Sequence, residues 1–203
     1  YAPCTTALLF GEINYHSADA TNAGDWVELW NIGMASIDIS GWRFVNAEDT
    51  LLFTFPTGTS LNPDERLVIC SDADLFAARH PDVANVIGEF AFTLDNSGDA
   101  LRLFDDQSVL QFSMQYEDGS PWPVEADGGG KTLELVNPYN PINNASNWIA
   151  GCPEGSPGMV YDPDCDGQIL VENLLPENVI IYPNPADDYV VIELATPLTY
   201  TDR

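Results

Sequence analysis

Three carboxylates at alternate positions carry the best local metal signal in the chain. Asp162, Asp164 and Asp166, followed by Gly167 in "DPDCDG", have the 1, 3, 5, 6 spacing of a calcium loop. Side chains so spaced converge on one hard cation, and the glycine permits the sharp turn. Position 12 is Asn173, and Glu172 falls one residue early, so the bidentate closing ligand is missing. Calcium is the one candidate cofactor, and a solvated acidic loop between modules is the competing reading. A second constellation lies in "WVELW". Strand alternation sets Trp26, Glu28 and Trp30 opposite Val27 and Leu29, and tryptophans beside a carboxylate can stack on sugar rings. The competing reading is that a loop or the other sheet covers this face.

The four cysteines are an even number. Cys152 and Cys165 lie in Gly-, Pro- and Asp-rich segments with twelve residues between them, where a disulfide would staple a loop. This favours an oxidising compartment. Cys70 ends the apolar run "RLVIC" and reads as a buried thiol or as a partner for Cys4. Catalysis finds little support. His16 sits in a polar loop and His80 at the end of a short helix, and neither belongs to a cluster with metal spacing. Nothing marks a dyad among the 32 Asp and Glu residues. The chain is therefore read as non-enzymatic.

Those 32 acidic residues face 6 Lys and Arg, a formal charge of −26. Nucleic acid and anionic membranes are poor partners for such a field, because phosphate binding needs a cationic surface, and neither nucleic-acid binding nor membrane insertion is expected. No apolar run approaches the ~20 residues of a membrane-spanning helix. Hydrophobic residues at 45% and aromatics at 11% suffice for a core, so the acidity is not that of a disordered chain. The opening at Tyr1, without Met or leader, suggests a mature form or an excised fragment.

Period-two apolar runs recur at 8–13, 26–31, 42–46, 51–55, 66–70, 86–92, 100–104, 109–116 and 132–136, each closed by Gly, Asn, Asp or Pro. In "VLQFSMQY", Leu110, Phe112, Met114 and Tyr116 are expected inward and Gln111, Ser113 and Gln115 outward. Leu29, Trp42, Leu103 and Leu133 are expected to be buried as well. "SDADLFAARHPD" predicts one short helix, capped by Ser71 or Asp72 and ended by Pro81. Many short strands with regular turns predict an all-β two-sheet sandwich with one short connecting helix. From about Gly151 the chain turns to loop chemistry.

Nine blocks in order carry a family resemblance: "GEINY" (11–15), "DWVELWNIG" (25–33), "DISGWRF" (38–44), "FPTGTSLNPDERLVIC" (55–70), "LDNSGDALRLFDDQ" (94–107), "WP" (122–123), "DGGGKTLELVNP" (127–138), "SNW" (146–148) and "GSPG" (155–158). Together they resemble the lamin tail domain family in its bacterial form. The resemblance implies an immunoglobulin-like β-sandwich over residues 1–158 and provides no catalytic set. Residues 159–177 read as an acidic linker. "VIIYPNPADDYVVIEL" (179–194) resembles the start of the type A C-terminal sorting domain of the Bacteroidota type IX secretion system, making 178–203 a partial sorting domain. Such a piece is expected to be disordered, or ordered only by adding to a sheet edge. These resemblances imply a non-catalytic module of an exported bacterial protein, secreted or at the cell surface. Its expected role is adhesion, scaffolding or ligand binding, with a protein or glycan and the other domains of its parent as partners. The rival is an accessory domain of a secreted hydrolase of nuclease or phosphatase type.

Overall fold

The computed structural model describes residues 7–49, 51–161, 165, 179–182 and 191–194. The strands are β1 (Leu8–Asn14), β2 (Trp26–Asn31), β3 (Ile37–Asp38), β4 (Arg43–Val45), β5 (Leu52–Thr54), β6 (Ser60–Leu61), β7 (Arg66–Cys70), β8 (Val86–Ile87), β9 (Gly98–Phe104), β10 (Leu110–Glu117), β11 (Lys131–Leu135) and β12 (Trp148–Pro153), of which all but the short β3 and β6 and the edge strand β12 coincide with predicted runs. Helix α1 (Ala73–Arg79) lies between β7 and β8. The Asp72 carboxylate accepts the Leu75 amide at 2.8 Å, the cap that the sequence signals, and the helix ends at His80 before Pro81.

One sheet has the order β12-β11-β1-β2-β7-β8 and the other β10-β9-β4-β5, while β3 and β6 form a small pair. Inward residues of both sheets make one core, with Phe10, Ile13, Val27 and Leu29 from the larger sheet and Phe44, Leu101, Leu103 and Met114 from the smaller. Phe44 stands at its centre, edge-on to Phe10 at 5.6 Å and to Phe90 at 5.5 Å. This is an immunoglobulin-like β-sandwich.

Register inside the strands depends on bulges that alternation alone does not show. In β1 the pairing with β2 shifts between Phe10 and Glu12, making Gly11 an extra residue. Phe10 and Ile13 can therefore both face the core, while Glu12 turns to the outer face. A like shift between Leu110 and Phe112 leaves Leu110 48% exposed, against the expectation that it points inward with Phe112. Leu29, Leu103, Leu133 and Phe112 are buried as expected. Trp42 is only half-buried, because it sits in the turn after Gly41 (φ +74°) and leaves the central position to Phe44. Gln115 is exposed, whereas Gln111 and Ser113 are half-buried.

Strand β12 was not expected. It pairs antiparallel with β11 and forms an edge of the larger sheet. Its residues "WIAGCP" have no apolar alternation. Cys152 on this strand and Cys165 are both disulfide-bonded, as predicted, and Cys70 is a buried free thiol. A loop of this size contributes about 3 kcal/mol on the chain-entropy estimate. Reductant should accordingly lower the melting temperature. Alkylation of the unreduced, denatured protein should label Cys70 and spare Cys152 and Cys165; label on Cys152 would remove the bridge.

The chain divides into the units Tyr1–Asp162 and Pro163–Arg203. In the second, β13 (Val179–Tyr182) and β14 (Val191–Leu194) pair antiparallel with each other, in a two-stranded sheet of their own rather than at an edge of a larger one.

Candidate functional site

The face expected to present Trp26, Glu28 and Trp30 is closed. Trp26 is fully buried, with Ala23, Val68, Cys70 and Phe76 around it and its ring edge-on to Phe76 of α1 at 5.6 Å. Backbone of the turn after β12 covers its other side: a Cβ on Gly155 would lie 2.9 Å from Trp26 Cζ2. Glu28 is 1% exposed, and its Oε1 accepts a hydrogen bond from Arg66 Nη1 at 2.8 Å. The Arg66 guanidinium lies 4.0 Å over the ring of half-buried Trp30, whose Nε1 donates to Asp64. The three residues do share a face, as alternation requires. They serve there as the underside of a covering layer, so an open sugar-stacking platform is not formed.

Glu28 also belongs to a row that sequence gives no means of assembling. Glu12 on β1 stands directly opposite both Glu28 on β2 and Glu134 on β11. All three are buried. Over them lies a strap, the "GSPG" turn of residues 155–158. The Ser156 amide donates to Glu12 Oε1 at 2.9 Å, the Ser156 hydroxyl to Glu134 Oε1 at 2.8 Å, and the Gly158 amide to Glu28 Oε2 at 2.5 Å. The Thr132 hydroxyl also donates to Glu12 Oε1. Burial pushes the Glu12 carboxyl well above its ordinary range, and the charges of Glu134 and Glu28 push it further. Burial likewise raises Glu134 to about 7, and raises Glu28 against the opposing pull of Arg66.

An open concavity lies among the loops at one end of the sandwich. This groove of about 1160 Å³ is lined by the turn from Tyr15 to Asp25, by Asn46–Glu48 and Leu51, by Ser71, Asp72 and Leu75, and by the segment from Phe90 to Asp99. Two of its carboxylates, Asp25 and Asp99, are held by backbone amides. Asp25 Oδ2 accepts the Leu94 amide at 2.9 Å, and Asp99 accepts the Ala47 amide at 2.8 Å. Leu51 and Leu75 are exposed on its rim. His16 meets Asp127 at 2.6 Å, a partner 111 positions away.

Burial raises the Asp25 carboxyl to about 6. A group raised in this way favours its protonated form in the folded state, so its contribution is full below the ordinary carboxylate value and is lost as pH rises through about 6. Asp25→Asn keeps an acceptor for Leu94. Its stability relative to the parent should therefore rise between pH 4 and 7 in urea titrations; a pH-independent difference would show that Asp25 does not titrate there.

Asp162, Asp164 and Asp166 lie outside the described residues. Among the described residues, no group of three or more His, Cys, Asp or Glu side chains is arranged to hold a metal ion, and no helix is long and apolar enough to cross a membrane. The family model described as Lamin Tail Domain matches residues 3–118. No curated protein matches the chain.

Proposed function

The chain belongs to the lamin tail domain family, whose domain is a non-catalytic immunoglobulin-like module, and from that premise we propose that it is an adhesion or scaffold module of an exported bacterial protein, holding a protein or glycan partner at the cell surface. The groove is the observation that carries this reading. It offers carboxylates fixed by backbone amides beside exposed Leu51 and Leu75, a mixture of apolar rim and oriented acceptors suited to a hydroxyl-rich or basic surface. The Cys152–Cys165 disulfide supports an oxidising compartment. The "YPNPA" motif at Tyr182–Ala186 supports export by the type IX route.

The test is a glycan and protein array probed with the purified domain, followed by affinity measurements on Leu51→Ser and Leu75→Ser. Both side chains are exposed, so neither change should alter stability by more than about 0.5 kcal/mol. Each is expected to weaken a genuine groove ligand several-fold. Hydrolysis of a nuclease or phosphatase substrate by the isolated domain would overturn the non-catalytic reading. Tight partners indifferent to both substitutions would move recognition off the groove.

A further inference from the structure

We propose that Glu12 and Glu134 share one proton, and that this proton seats the strap of residues 155–158, so that closure of the larger sheet's outer face is pH-dependent. Register makes the two side chains direct cross-strand neighbours. Each uses Oε1 to hold Ser156, one through its amide and the other through its hydroxyl. Each also has an Oε2 that is buried and without a hydrogen-bond partner. Two buried carboxylates on paired strands, each with an orphaned oxygen, are costly, because an ionised carboxylate only accepts. A proton on either one turns it into a donor for the other and resolves both.

The surrounding charges relieve the pair only in part: Arg66 opposes the rise of the Glu134 carboxyl, but burial outweighs it. Arg66 on β7 is engaged with Glu28 on β2, whose charge adds to the repulsion. Arg79 at the end of α1 is paired with Glu154, which precedes the strap. His80 packs its ring on Trp26 and Phe76, and burial lowers its pKa. Lys131 stands at the start of β11. No metal-holding arrangement exists among the described residues.

In the unfolded chain both glutamates ionise near the ordinary value of about 4.3. In the fold burial raises both carboxyls, Glu134 to about 7 and Glu12 well above its ordinary range. Above the unfolded value the folded state therefore binds more protons, so stability falls as pH rises. Loss of the proton sets two adjacent carboxylates against each other beneath Ser156, the residue they hold in common, and the strap loosens.

Hydrogen exchange of the Ser156 and Gly158 amides tests this on the full chain, expressed as protection relative to intrinsic rates from pH 5.5 to 8.5. Protection should fall by about tenfold or more, since one unit of pH beyond the titration point changes the ionised ratio by that factor. Glu12→Gln should lessen the dependence, leaving the part that burial of Glu134 supplies. Its carbonyl still accepts from Ser156 and Thr132, and its amide can donate to Glu134 Oε2. Glu134→Gln makes the same prediction through the opposite member and serves if the first variant does not fold. Flat protection in the parent protein overturns the proposal, as does an equal fall in a folded glutamine variant. Recovery of protection at pH 8.5 on adding calcium chloride would also overturn it, by assigning the pair to a cation.

Discussion

Arg66→Ala is expected to lower the unfolding free energy by about 3–5 kcal/mol near pH 8, the usual cost of removing one member of a buried ion pair. Glu28, 1% exposed, would be left without its countercharge, and the guanidinium that lies over Trp30 would be gone. The loss should shrink as pH falls. Burial already raises the Glu28 pKa, and without Arg66 it rises further, so the acid relieves the unpaired charge by protonation. Arg66→Met combined with Glu28→Gln should recover most of the stability, because neither remaining side chain is then charged. Urea denaturation of the parent, Arg66→Ala and the double variant measures it. A cost below about 1 kcal/mol for Arg66→Ala at pH 8 would mean that the pair behaves as a surface salt bridge.

Phe44→Ala should cost about 3–5 kcal/mol at any pH, the range for aromatic truncation in a packed core. The ring is fully buried and meets Phe10 of the opposite sheet edge-on, with Phe90 and Phe92 beside it. No other residue on short β4 reaches so far into the space between the sheets, so collapse around the void is limited. Thermal unfolding followed by near-ultraviolet dichroism checks this. A change of about 1 kcal/mol would place Phe44 at the margin of the core.

The alternation of Leu101 and Leu103, the Asp72 cap and the Gly41 turn were legible because each rests on neighbours in the chain. Bulges were not. Gly11 and Gln111 shift the phase of β1 and β10 without changing composition, and so Leu110 and Glu12 ended on faces that strict period two denied them. Strand β12 was hidden because its residues, Trp148 to Pro153, do not alternate apolar with polar and so carry no periodic signal.

The candidate site was legible only in part. Trp26, Glu28 and Trp30 were correctly placed on one face. What covers that face comes from α1 and from residues 155–158, and neither stretch advertises its destination. The glutamate row requires positions 12, 28 and 134 to be brought into register, which only the strand order supplies. The groove likewise gathers four separate loops.

Recognition through the groove, with the tryptophan face sealed, is tested most directly by comparing two variants against one partner selected on the array. Leu75→Ser alters the groove rim, and Trp30→Ala alters the sheet face. The affinity should fall several-fold for Leu75→Ser and stay within about twofold of the parent for Trp30→Ala, provided both remain folded. The reverse pattern, with binding lost in Trp30→Ala and kept in Leu75→Ser, would contradict both parts of that claim.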